Sequence, residues 1–235
     1  MTNDLPARLA AVRARIARAA GRARRDPSAI RLVAVSKTFP ADAVRTAFDA
    51  GQIDFGENKV QEALDKMDRT ADLPIRWHLV GHLQSNKTKK AAARFDLIHS
   101  IDGPALLTKV DEAAATAGRR IDLLVQVDLA GEATKFGARE GELSSMFEAA
   151  RGCRAARVVG LMLLPPASED VERSRPYFRR LRAVRERLLA QGVDASMLNE
   201  LSMGMSHDFE VAIEEGATLV RVGTAIFGSR GHSPA

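Results

Sequence analysis

The chain has 235 residues, 35 of them basic and 30 acidic, for a net charge of +5. Its balance of 46% apolar and 28% charged residues is that of a globular protein and excludes a disordered chain. A single cysteine, Cys153, excludes a disulfide within the chain and any multi-cysteine metal site.

From the start of the chain, an amphipathic helix is predicted over about 4–24. It carries Leu5, Leu9, Val12 and Ile16 on one stripe, with Arg8, Arg15, Arg18 and Arg22 largely off it. No aromatic residue is interleaved with these arginines, so the basic face reads as the solvated side of a packed helix. Contact with nucleic acid or an anionic membrane is the alternative. Strand-like runs follow at 31–35, 53–55, 76–80, 97–100, 121–127, 157–161, 200–202 and 219–222. Between them lie helical patterns at 41–50, 59–68, 87–94, 104–117, 140–151, 169–190 and 207–215. Pro40 and Asp102-Gly103-Pro104 stand where helices open, and Gly51 and Gly118 where helices close. Eight alternating βα units imply parallel strands with right-handed crossovers. The predicted fold is a closed (β/α)8 TIM barrel of a single domain filling residues 1–235, with an extra N-terminal helix. An open doubly wound sheet is the runner-up, weakened because no G-x-G-x-x-G follows the first strand.

The longest apolar run, Val158 to Leu164, is far short of the roughly 18 residues that span a bilayer. The arginine-studded N-terminus lacks the apolar segment of a secretory signal. A cytoplasmic protein with no membrane or nucleic-acid partner is expected.

In a barrel of this kind the chemistry sits at the C-terminal ends of the strands. Strand one ends in Ser36-Lys37, strand two in Gly56-Glu57-Asn58, and strand three carries His78 and leads to Gly81-His82. Lys37 stands out because only eight of the 35 basic residues are lysines. A desolvated amine can lose its proton and attack a carbonyl, which a guanidinium cannot do. The competing reading is a lysine that snorkels to the barrel rim. Strand eight contains Arg221 and runs into Gly223-Thr224, a turn opening a short helix, where backbone N–H groups can meet a phosphate. Ser202 and Ser206 after strand seven offer hydroxyls. An amine on strand one and an anion site after strands seven and eight describe a pocket for a phosphorylated aldehyde. His78 and His82 are four apart on a strand and turn, with no glutamate between them, so no metal site is expected. The basic cluster Lys87, Lys89 and Lys90 reads as a solvated helix start.

Ala34-Val35-Ser36-Lys37, Phe55-Gly56-Glu57-Asn58 and the run Trp77 to Lys87 resemble the pyridoxal 5′-phosphate (PLP) homeostasis protein family. So do Gly160-Leu161-Met162 with Pro165-Pro166, Arg175-Pro176-Tyr177-Phe178, Leu201 to Ser206, and Val220 to Gly228. These proteins are similar to the barrel domain of alanine racemase without its second domain. The resemblance implies PLP as cofactor, bound to Lys37 as an internal aldimine. It further implies that Ser202, Gly223 and Thr224 hold the phosphate, that Arg221 faces the pyridine nitrogen, and that Asn58, His78 and Met203 line the site. Asp128, Phe136 and Leu163 depart from the family pattern near the ends of strands five and six. Lys135 falls in a segment similar to a second lysine of the family.

A racemase needs an acid–base group on each face of the substrate carbon. The only tyrosine, Tyr177, opens the helix after strand six, away from the barrel mouth, and the barrel is expected to fill the chain. A fixed cation at the ring nitrogen disfavours ring protonation and makes the ring a poorer electron sink. The expected function is therefore to hold or carry PLP in vitamin B6 homeostasis, with little or no turnover. PLP-dependent apoenzymes are the expected recipients, and the protein is expected as a monomer or weak homodimer. A small PLP-dependent racemase or β-eliminating enzyme is the alternative, and an aldolase-type barrel using Lys37 directly is a third reading.

Overall fold

The computed structural model describes residues 4–131 and 136–228. Eight parallel strands close into a barrel in sequence order, with the last strand paired to the first. The strands are β1 (Arg31–Val35), β2 (Asp54–Glu57), β3 (Arg76–Leu79), β4 (Leu97–Ile101), β5 (Ile121–Gln126), β6 (Ala156–Met162), β7 (Glu200–Met205) and β8 (Leu219–Val222). Helix α1 (Leu5–Arg22) precedes them. The crossover helices are α2 (Ala41–Asp49), α3 (Val60–Arg69), α4 (Thr88–Arg94), α5 (Pro104–Thr116), α6 (Leu143–Arg151), α7 (Arg175–Ala190) and α8 (Phe209–Glu214). A last short helix, α9 (Thr224–Phe227), follows β8.

Strand alternation divides the apolar residues into two sets. Val33, Val35, Val80, Leu97, Leu124, Val159, Met162 and Leu219 pack together inside the barrel. Their neighbours in sequence, among them Leu32, Ala34, Phe55, Trp77, Leu79, Ile98, Leu123 and Val220, form the larger core between strands and helices. Val35 ends the inward series of β1, so the next residue on that side is Lys37, at the mouth.

Helix α1 buries Leu5, Leu9, Val12, Ile16, Ala19 and Ala20. Its arginines are more than a solvated face. Arg8 donates to the Ile226 carbonyl at 2.8 Å and Arg13 to those of Ala50 and Gly51 at 2.9 and 2.7 Å. Arg15 pairs with Glu210 at 3.0 Å and stacks over the Phe209 ring. The helix is thus tied by guanidinium groups to α2, α8 and α9.

Two strands run two or more residues past their predicted ends. β2 continues through Gly56 to Glu57, and β7 continues through Gly204 to Met205. Both expected ends were placed at residues that punctuate a chain, but a glycine inside a strand can instead mark a close approach. At Gly204 the φ of +91° and the nearness of Ala212 and Phe209 leave no room for a side chain. The pattern expected over 169–190 divides into a 3-10 turn, Val171–Ser174, and α7, whose Pro176 lies in its first turn. Among the described residues, no helix is long and apolar enough to cross a membrane.

Leu9 is fully buried between α1 and the barrel. Leu9→Ala is expected to lower the unfolding free energy by about 2–5 kcal/mol, read by urea denaturation. A change within error would show that α1 is an appendage and not part of the core.

Candidate functional site

Lys37 follows β1 at the C-terminal end of the barrel, half-buried, and makes no hydrogen bond or ion pair among the described residues. The next residue, Thr38, has a φ of +68°. A β-branched residue in the left-handed region costs about 1–3 kcal/mol, and strain of this kind concentrates at functional sites. It turns the chain away immediately after the amine.

Because β8 pairs with β1, with Val222 opposite Ala34, the turn after β8 lies beside the lysine. Gly223 approaches Val35 so closely that a Cβ there would stand 3.2 Å from the Val35 carbonyl oxygen. Ser206 Oγ accepts hydrogen bonds from the N–H groups of Gly223 at 3.1 Å and Ala225 at 3.4 Å. Thr224 is exposed at the same turn. On the other side of β1, Asn58 follows β2, half-buried, with its amide free of hydrogen bonds among the described residues. Gly81 supports it: a Cβ on Gly81 would overlap the Asn58 carbonyl oxygen at 2.2 Å. Lys37, Asn58, Ser206, Gly223 and Thr224 thus share one sector of the mouth, between the ends of β7, β8, β1 and β2.

The other residues expected at the site lie lower. Ser202 is the third residue of β7, paired with Met162 and Leu219, and is completely buried. Its hydroxyl contacts His99 Nδ1 at 2.8 Å and accepts from Arg221 Nη1 at 2.5 Å. Ser202, expected at the phosphate, is thus engaged inside the barrel with His99 and Arg221. The strand runs on past it, and Ser206 is the serine that reaches the turn after β8. Met203, also expected at the site, has its side chain turned outward into the core beneath the helices. His78 points into the barrel but is engaged on both ring nitrogens, with Asp54 Oδ1 at 2.9 Å and His99 Nε2 at 3.0 Å. Arg221 is fully buried and donates to Ser202 and, at 2.9 Å, to the Leu163 carbonyl. Burial pushes its guanidinium down to about 10. Burial pushes the Asp54 carboxyl up, but its contacts with His78 and Arg76 outweigh that and hold it below its ordinary range. Complete burial, then the neighbouring His78, Arg221 and Arg31, keep His99 far below the usual imidazole range.

A second buried polar group lies on the outer side of β1 and β2. Glu57 Oε1 accepts from Ser36 Oγ and Lys66 Nζ, each at 2.6 Å, and Lys66 Nζ also donates to the Ser36 carbonyl at 2.6 Å. The pair thereby clamps the residue before Lys37. Burial raises Glu57 above its ordinary value despite Lys66 and Ser36, and its Oε2 has no hydrogen-bond partner. The sequence analysis missed Lys66. It was visible as a lysine on the apolar stripe of α3, alongside Val60, Ala63 and Met67.

The side wall has a clear construction. Asp128 Oδ1 accepts from the N–H groups of Ala130 and Gly131, shaping its own loop. Phe136 stacks on His82 with ring centroids 3.5 Å apart. Leu163 turns its side chain outward into the core and contributes only its carbonyl, so its departure from the family pattern leaves the mouth unchanged. Tyr177 packs against the outer core on α7. Lys135 lies outside the described residues.

The family model for the alanine racemase N-terminal domain matches residues 7–231. The chain belongs to that family. Among curated relatives, the pyridoxal phosphate homeostasis protein of Aquifex aeolicus is 43% identical over 95% of this chain and 97% of its own length. That of Pseudomonas aeruginosa is 44% identical over 94% of each. A solved structure of PipY from Synechococcus elongatus with PLP bound is 39% identical, covers 95% of this chain and all of its own, and superposes with a TM-score of 0.85. Alanine racemase from Corynebacterium glutamicum shares the fold at 18% identity and a TM-score of 0.69, with 64% of its length covered.

Removing one member of a buried ion pair leaves the other uncompensated. Lys66→Met is expected to cost about 3–5 kcal/mol in urea denaturation, with much of it recovered when Glu57→Gln is added. The pH dependence has a defined sign. A raised Glu57 favours the folded state most below the ordinary glutamate value of about 4.3, and that contribution is lost as pH rises through its folded value. Glu57→Gln should remove this part of the slope.

Proposed function

We propose that the chain binds PLP at the mouth of the barrel through Lys37 and holds it for delivery in vitamin B6 homeostasis. The observation that carries this reading is an amine with no hydrogen bond or ion pair among the described residues, set beside the hydroxyl- and glycine-built turn after β8. PLP supplies an aldehyde carbon open to a lysine amine. Lys37 provides the amine, and the strained Thr38 together with the Glu57–Lys66 clamp on Ser36 fixes where it leaves the strand. The hydroxyls of Ser206 and Thr224, at the turn that Gly223 opens, hold the phosphate, in the position where barrels of this fold commonly bind one. Asn58 borders the ring. Arg221, a buried cation below the mouth, faces the ring nitrogen and keeps it unprotonated, which limits turnover of amino acids.

The placement of Tyr177 supports a carrier over a racemase. It packs on the helical side of the strands, so no tyrosine stands at the mouth to act as a second base. The 39% identity to a protein solved with PLP supports the choice of ligand. PLP-dependent apoenzymes are the recipients in this reading, and the protein works away from membranes and nucleic acid.

Purified protein incubated with PLP is expected to acquire an absorbance band distinct from free PLP, and Lys37→Ala to lose it. An unchanged band in Lys37→Ala would overturn the assignment. Deuterium exchange at the α-carbon of added amino acids should remain near the rate of free PLP, and enzyme-like exchange would favour the racemase reading.

A further inference from the structure

Beneath the mouth, four buried side chains make none of the contacts assigned to the cofactor, yet they form an unbroken path across the barrel interior. Asp54 at the start of β2 is held by Arg76 at 2.7 Å. The path then runs through His78 on β3, His99 on β4 and Ser202 on β7 to Arg221 on β8, with successive contacts of 2.9, 3.0, 2.8 and 2.5 Å. Apart from Arg76, none of these residues is more than a few per cent exposed.

We propose that Asp54, His78, His99 and Ser202 form a one-directional hydrogen-bond relay that fixes the guanidinium of Arg221, and are thereby positioning residues for the ring of PLP. This rests on the reading of the mouth given above. The direction follows from what each end can do. An ionised carboxylate only accepts, and a guanidinium only donates. With one proton placed on each imidazole, a single pattern satisfies every pair. His78 donates from Nε2 to Asp54, and its Nδ1 then accepts from Nε2–H of His99. His99 Nδ1 accepts from the Ser202 hydroxyl, and Ser202 Oγ accepts from Arg221. All the bond dipoles align between the carboxylate and the cation, an arrangement in which each bond strengthens the next. Among the described residues Arg221 has no carboxylate as a hydrogen-bond partner, and there the aligned relay is its hydrogen-bonded link to negative charge. A guanidinium held this way keeps both its charge and its orientation when a ring is bound above it.

The test begins on the cofactor-free protein with 15N-labelled histidine. Long-range 15N–1H spectra at about pH 7 are expected to show the proton of each of His78 and His99 on Nε2, as the contacts with Asp54 and Ser202 require. Two variants, checked for intact fold by circular dichroism, then probe the ends. Ser202→Ala removes the acceptor of Arg221 and is expected to speed PLP release roughly tenfold, the size of one hydrogen bond to a charged group, and to move the absorption maximum of the bound cofactor. Asp54→Asn is expected to shift the resonances of both histidines and to speed release in the same direction, although Asp54 lies at the base of the barrel. A merely structural role would lower thermal stability without moving the histidine tautomers or the absorption maximum. A proton on Nδ1 of either histidine in the wild type, or two folded variants with wild-type release and spectrum, overturns the relay. If the wild type takes up no PLP, the reading of the mouth falls instead, and the histidine spectra of the cofactor-free protein alone decide the relay.

Discussion

The pairing of β8 with β1 is the constraint on which the site depends. Lys37 and Gly223 come from opposite ends of the chain, and the register of Ala34 against Val222 makes them neighbours. A slip of one residue would turn Arg221 outward and Lys37 away from the mouth, because strand alternation has a period of two. Barrel closure also removes the exposed edges that an open parallel sheet would present. The apolar inner set from Val33 to Leu219 fills the barrel around this seam, so the geometry of the mouth is inherited from core packing.

The interior is not wholly apolar, and its polar part has a definite logic. A buried polar group is tolerated when every hydrogen-bonding requirement is met. The path from Asp54 to Arg221 meets that condition with one carboxylate, two imidazoles, one hydroxyl and one guanidinium. The Glu57–Lys66 pair does so less completely, since Glu57 Oε2 has no partner. That pair lies outside the strands and acts on the backbone at Ser36. The lysine is thus set from two sides: by a clamped residue before it and a strained residue after it.

Much of the architecture was legible in the sequence because βα alternation writes itself in apolar periodicity. Lys37 was legible through scarcity, as a lysine at a strand end in a chain whose basic residues are mostly arginine. The turn after β8 was legible through Gly223-Thr224. The interior relay was not, because its members come from five strands and the His99–Ser202 contact joins residues 103 positions apart. His99 gave a partial sign, as a histidine in an otherwise apolar strand. The length of β7 was not legible either: the expected strand stopped at Ser202, short of Gly204, whereas the backbone continues through that glycine to Met205. The tethering role of the α1 arginines was hidden for a related reason, since their partners lie on helices distant in sequence.

The central claim is that the amine of Lys37 is the group that takes the cofactor. Its most direct test is borohydride reduction of protein incubated with PLP, followed by peptide mass spectrometry. The account predicts a single reduced phosphopyridoxyl label, on the peptide that contains Lys37. A label on Lys66 or another lysine with Lys37 unmodified, or no label at saturating PLP, would contradict it.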